Sequence, residues 1–208
     1  MRLLIATGNP SKLREIRALL ADTRVELVSL RDLTPVLEPD ETGVTFQDNA
    51  RLKARYYDAQ AGARLRSACT VAEDSGLAVD ALDGEPGVHS ARFLRPDASY
   101  RERFAELYRR LAERPWRGRG ARFVCALAVA RDGAVLYEAT GVVDGEIAPA
   151  PRGGFGFGYD PIFQYPPHGC TLAEMSEDDK LRVSHRGQAF RQLAHWLQSF
   201  ATEEPPGA

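Results

Sequence analysis

The sequence predicts an α/β fold, a mixed β-sheet flanked by helices. Three observations carry the prediction. Short apolar runs alternate with stretches of helical periodicity, a breaker cluster joins the first run directly to a helix, and two later strand-like segments meet at an Asp-Gly pair.

The first run, RLLIAT (2–7), ends in Gly8-Asn9-Pro10-Ser11. Such a cluster interrupts regular structure. Leu13, Ile16, Leu19 and Leu20 then recur at helical spacing, so the order is strand, tight turn, helix. VELVSL (25–30) reads as a second strand, and residues 31–44, with Pro35, Pro39 and Gly43, as a loop. Thr45 and Asp48 form a weak capping box opening a helix to about Ala61, with Gly62 as its stop. CTVA (69–72) and LAVDAL (77–82) read as short extended segments flanking an acidic turn, Glu73-Asp74-Ser75-Gly76. DGEPG (83–87) is turn chemistry. Ser99 and Glu102 cap a helix whose apolar face holds Phe104, Leu107, Tyr108 and Leu111. RFVCALAVA and AVLYEATGVV form a hairpin about Asp132-Gly133. GGFGFGYDP (153–161) is a glycine-aromatic loop, and SHRGQAFRQLAHWLQSF ends in an amphipathic helix. We expect a single domain over 1–201 and a flexible tail over 202–208.

Composition narrows the function classes. The 208 residues are 44% hydrophobic and 27% charged, ordinary for a globular protein with one substantial core or two small lobes. A net charge of −2 gives no electrostatic footprint for stable nucleic-acid binding. No apolar run approaches a membrane span, and the N-terminal run is too short for a secretory signal. Cys69, Cys125 and Cys170 are widely spaced, which fits free thiols in a cytoplasmic protein. Of 27 basic residues only Lys12, Lys53 and Lys180 are lysines. A compact ammonium at three positions in an arginine-rich chain marks them as worth locating.

Several segments could carry chemistry, and each has a plainer reading. TGNPSK lies where a strand meets a helix N-terminus, so unpaired N–H groups, the helix dipole and Lys12 suit an anion; a plain strand-to-helix turn suits it too. Glu73 and Asp74 could hold a hard cation such as Mg²⁺, which takes one or two carboxylates with substrate phosphate, or could be an acidic surface turn. Glu41, in EPDETG, is either a further ligand or a solvated acid. Lys53 is either a phosphate contact or a lysine lying over apolar neighbours. Phe157-Gly158-Tyr159-Asp160 offers rings and open backbone to a planar base, or plugs a core. His185-Arg186 opens the last helix behind Ser184. No Cys/His cluster suggests zinc, and no G-x-S-x-G elbow suggests a serine hydrolase.

Taken together, ATGNPSKLREI, ETGVTFQDNARLKAR, AEDSGLAVDALDGEPGVHSARF, GGFGFGYDPIF and KLRVSHRGQAF resemble the inosine triphosphate pyrophosphatase family, in family order and over nearly the whole chain. The resemblance implies an elongated mixed sheet in two lobes with a central nucleotide-binding cleft, Mg²⁺ dependence and a homodimer. It implies hydrolysis of ITP, dITP and XTP between the α and β phosphates, leaving a nucleoside monophosphate and pyrophosphate. Carried onto this chain, Thr7, Gly8, Asn9, Pro10, Ser11 and Lys12 hold phosphate. Asp74 is the acid-base residue and a metal ligand, Lys53 acts with it on phosphate, and Glu41 and Glu73 are further metal ligands. Ser75, Phe157, Gly158, Tyr159, Asp160, Lys180, His185 and Arg186 bind substrate, the last seven at the nucleoside. Many relatives carry Asp-Asp-Ser-Gly where this chain has Glu73-Asp74, which adds a methylene at residue 73. A related pyrophosphatase for modified pyrimidine or standard nucleotides, and a non-catalytic nucleotide-binding regulator, are the other classes these motifs admit.

Overall fold

The computed structural model describes residues 1–33, 36–65 and 68–203. Seven strands form one mixed sheet: β1 (Arg2–Ile5), β2 (Glu26–Ser29), β3 (Cys69–Val79), β4 (Gly120–Arg131), β5 (Ala134–Ile147), β6 (Phe163–Tyr165) and β7 (Cys170–Thr171). Their order is β2-β1-β3-β4-β5-β6-β7. β1 runs parallel to both neighbours, whereas β5, β6 and β7 are antiparallel. The helices are α1 (Pro10–Leu19), α2 (Phe46–Ala61), α3 (Tyr100–Ala112), α4 (Glu177–Val183) and α5 (His185–Glu203). Among the described residues, no helix is long and apolar enough to cross a membrane.

The chain divides into two compact units, the first comprising Met1–Asp74, Cys125–Gly141 and the chain from Arg186 onward. Successive side chains of a strand point to opposite faces. On one face of this unit, Cys69 and Val71 of β3 and Cys125, Leu127 and Val129 of β4 pack with residues of α1 and α5, including Leu13, Ile16, Phe190 and Leu193. On the other, Ala72 and Ala126, Ala128 and Ala130 meet Ala50, Ala54 and Tyr57 of α2. Alanine along both surfaces lets α2 lie close to the sheet. The predicted hairpin is present, with Asp132 and Gly133 both at positive φ (53° and 78°), the conformation an Asp-Gly turn supplies.

The second unit comprises Ser75–Val124 and Val142–His185. Its core joins Leu77 and Val79 of β3, Phe104, Leu107 and Leu111 of α3, and Ile162 with Phe163 of β6. The Ser99/Glu102 capping box of α3 forms as predicted.

One expectation is corrected here. Residues 73–76 are not a turn but the middle of the 11-residue strand β3. Asp-Ser-Gly is turn chemistry by composition, yet Gly76 serves another need: a Cβ there would lie 2.4 Å from Ser90 Oγ and 2.6 Å from the Gly87 carbonyl oxygen. At the far end α5 runs to Glu203, into the segment expected to be a tail; residues 204–208, like Pro35, lie outside the described residues.

Candidate active site

The N-terminal turn is built by its cap. Asn9 Oδ1 accepts from the N–H groups of Ser11 (2.9 Å) and Lys12 (3.2 Å), while its own N–H donates to Thr7 Oγ1 (3.2 Å). Pro10 takes the first helical position, where a missing N–H costs nothing. Gly8, Asn9 and Pro10 are exposed. The Asn9 cap thus uses two of the helix's free N–H groups. A Cβ on Gly8 would lie 2.6 Å from Glu38 Oε1, so the loop before α2 rests against this turn.

The acidic pair is split by the strand it sits in. Glu73 follows Cys69 and Val71 toward α1 and α5. Its carboxylate accepts from Arg186 Nε (3.0 and 3.2 Å) and Nη2 (2.9 Å), and from the Cys125 thiol (2.8 Å). Lys12 Nζ lies 3.0 Å away. Arg186 Nη1 donates to Glu15 at 2.7 Å. Glu15, Glu73 and Arg186 are all buried. Burial opposes Glu73's charge, but Arg186 and then Lys12 outweigh it and hold the carboxyl well below its ordinary range. Burial also opposes the Arg186 charge, yet Glu73 and Glu15 raise its pKa.

Asp74 faces α2. Lys53 Nζ lies 2.8 Å from Asp74 Oδ1 and 2.9 Å from Glu41 Oε1, so one ammonium bridges two carboxylates. Asn49, one helical turn before Lys53, donates from Nδ2 to Asp74 Oδ2 at 3.2 Å. Burial pushes the Asp74 pKa above its ordinary value despite Lys53. Burial works against the Lys53 charge, but Asp74 and Glu41 together raise its pKa.

Of the three carboxylates expected from sequence as metal ligands, Glu41 and Asp74 come together on Lys53 and Glu73 lies with Lys12 and Arg186. Glu73 does not join Glu41 and Asp74, because adjacent residues of a strand point apart. Among the described residues, no group of three or more His, Cys, Asp or Glu side chains is arranged to hold a metal ion. Two acidic side chains that approach one ammonium still fit Mg²⁺, which takes one or two carboxylates and leaves its other positions to water and phosphate.

The second unit holds the remaining predicted residues. Ser75 is half-buried in β3. Asp160 Oδ2 accepts from the Phe157 N–H at 2.7 Å and from Lys180 Nζ at 2.6 Å. Lys180 also lies over the Phe157 ring, 4.7 Å from its centroid. Gly158 has φ 66°, a conformation that favours glycine. Tyr159 is buried, donates from its hydroxyl to the Ser90 carbonyl at 3.0 Å, and sets its ring edge-on to Tyr100. It is a core residue in this arrangement. His185 is also buried, stacked on Phe123 at 4.7 Å between centroids. Lys180, expected to face substrate, pairs with Asp160. Arg186, expected at the nucleoside, has Nε, Nη1 and Nη2 all engaged with Glu73 or Glu15 in the first unit.

Sequence reasoning did not single out Asn49, Glu15 or Cys125. Asn49 was accessible, since it lies four residues before Lys53 and so shares its helix face. The other two become visible only once β4 and α5 are placed.

A family model described as the Ham1 family matches residues 3–196. A dITP/XTP pyrophosphatase of Exiguobacterium sp. is 45% identical over 193 residues, covering 93% of this chain and 95% of that protein. One of Geobacillus kaustophilus is 46% identical, over 92% and 91% respectively. Among solved structures, a HAM1 protein from Coxiella burnetii is similar with a TM-score of 0.86 and 39% identity, covering 96% of this chain and 99% of that one. With motifs, sheet and nearly the full length all in agreement, the chain belongs to the Ham1 family.

Proposed function

We propose that the protein hydrolyses deaminated purine nucleoside triphosphates, dITP and XTP with ITP beside them, to the nucleoside monophosphate and pyrophosphate, and so cleanses the nucleotide pool. The observation that carries this reading is full-length similarity to proteins named dITP/XTP pyrophosphatases. The Asp74–Lys53–Glu41 arrangement supplies the chemistry such an activity requires.

Asp74 is the general base in this proposal. Its carboxylate takes a proton from the water that attacks the α-phosphorus, and pyrophosphate leaves. A carboxyl pKa raised by burial makes it a better proton acceptor than an ordinary aspartate. Lys53 keeps Asp74 ionised and passes part of its positive charge to the phosphates. Thr7 to Lys12 grip the triphosphate, with Lys12 held by Glu73. Glu41 and Asp74 are the residues that would hold Mg²⁺, which when bound offsets phosphate charge and lowers the pKa of water. Glu73 has no part in that site.

For the nucleoside, Phe157 takes a stacking role, with Lys180 covering one face of its ring. Phe157 gives its N–H to Asp160, so recognition of the 6-oxo acceptor falls to the N–H groups of Gly158 and Tyr159. Adenine presents an amino donor there, and one mismatched buried polar group costs on the order of 1–3 kcal/mol. We further propose a homodimer, which light scattering checks, and a cytoplasmic location, which three free cysteines support.

The test is pyrophosphate release by purified protein across ITP, XTP, dUTP, GTP and ATP in excess Mg²⁺. ITP and XTP are expected to exceed ATP by at least about tenfold. Preference for dUTP, or tight ITP binding without pyrophosphate release, overturns the reading.

A further inference from the structure

We infer that Asn49 is the positioning residue for Asp74, and that Gly43 is the point through which it also fixes the loop carrying Glu41. Asn49 is fully buried at the start of α2. Its Oδ1 accepts from the Gly43 N–H at 2.7 Å, and its Nδ2 donates to Asp74 Oδ2 at 3.2 Å. The two ends of the amide are not interchangeable here. A backbone N–H can only donate, so it requires the oxygen end of the side chain. The nitrogen end is then forced toward Asp74, which must accept. Asp74 Oδ2 is thereby held, and Oδ1 is left to Lys53 at 2.8 Å.

Gly43 supports this independently. A Cβ at that position would lie 2.6 Å from Asn49 Oδ1, 2.7 Å from Asp48 Cβ and 2.8 Å from Asn49 N. The loop backbone approaches the helix too closely for any side chain. Glu41 lies two residues before this contact and reaches Lys53 from it. One amide therefore ties together the segments that carry the two carboxylates on Lys53. Asn49 acts on the reaction through Asp74 and touches no reacting atom.

The inference rests on Asp74 as the base, so the experiment carries that residue as its own arm. Asn49→Leu keeps the approximate volume and removes both hydrogen bonds. Its kcat is expected to fall about tenfold to a hundredfold, the worth of a hydrogen bond to a charged group, with KM within about twofold. ITP affinity in EDTA, read by calorimetry, stays within about twofold, because the phosphate grip is elsewhere. Gly43→Ala leaves Asn49 in place and pushes the loop off it, so its kcat falls in the same direction even if Asn49→Leu fails to fold. The double variant is expected to lose no more than the worse single one, since both break one linkage. Either single variant with kcat within about twofold of the parent, while Asp74→Asn is inactive, overturns the role of Asn49 and leaves the proposed function standing. A double variant whose loss equals the product of the single losses overturns the linkage. An active Asp74→Asn overturns both the base and the inference built on it.

Discussion

On one face of β3 the carboxylate of Glu73 meets Arg186, Lys12 and the Cys125 thiol. One residue later, on the other face, that of Asp74 meets Lys53 and Asn49. The first set is closed. Arg186 spends Nε and Nη2 on Glu73 and Nη1 on Glu15, deep among the apolar residues of α1 and α5. Such a group holds elements in register and has little left to offer a ligand. The second set is two carboxylates converging on one ammonium carried by a helix at the edge of a loop. It can exchange partners without unpacking the core. The same pair of residue types therefore serves stability on one side of the sheet and, in the proposed function, chemistry on the other. What separates them is the two-residue period of a strand.

The largest expected effect breaks the Asp74 side alone. Asp74→Asn removes the proposed proton acceptor and is expected to cut kcat by about 10²–10⁴-fold. Its urea unfolding should stay a single cooperative transition, so that the lost turnover is read as lost chemistry and not as unfolding. Near-normal turnover at saturating Mg²⁺ ends the assignment. Next in size is the opposite cut. Glu73→Ala takes from the buried Arg186 the carboxylate that meets its Nε and Nη2, and removing one member of a buried ion pair costs about 3–5 kcal/mol. Urea unfolding measures it. A Glu73→Ala protein of undiminished stability would show that the two faces are not different in kind. Third, Lys53→Met leaves Glu41 and Asp74 facing one another without their shared ammonium. We expect kcat to fall about tenfold to a hundredfold, the scale of one lost charged hydrogen bond, checked by steady-state kinetics.

Much of this arrangement was legible in the sequence, and the failures are instructive. The caps at Thr45 and Ser99, the Asp132-Gly133 turn and the strand-turn-helix start are local, and each formed where its residues indicated. The error at 73–76 was of another kind. Two adjacent acids followed by Ser-Gly look like a solvated turn as long as their counter-charges are unknown. Those charges come from Lys12 on α1, Lys53 on α2 and Arg186 on α5, up to 113 residues away in sequence. The partners of Arg186 were hidden for the same reason. A helix-opening His-Arg pair suggests a donor to substrate until the fold places Glu73 and Glu15 against it. Hydrophobic period could not rescue either reading, because β3 is buried on both faces and shows no alternation.

The smallest expected effect concerns pH and tests whether the two carboxyls respond in opposite directions. The native pKa of Glu73 is depressed below the ordinary 4.5. The unfolded state then binds the proton more readily, so the stability Glu73 contributes is complete above that value. It is lost progressively as pH falls from the ordinary value through the depressed native pKa. The native pKa of Asp74 is raised above the ordinary 3.8, chiefly by burial. Here the native state binds the proton more readily, so ionisation costs stability as pH rises from 3.8 through the native value. Acidification from neutral should therefore reduce turnover first, as Asp74 takes up its proton, while the urea midpoint holds or rises slightly. At lower pH, as the unfolded chain takes up the Glu73 proton that the native state still refuses, the midpoint should fall. Asp74→Asn should abolish the slight rise and leave the later fall unchanged. Turnover and urea midpoint declining together over the same pH interval would mean that one titration governs both faces of the strand.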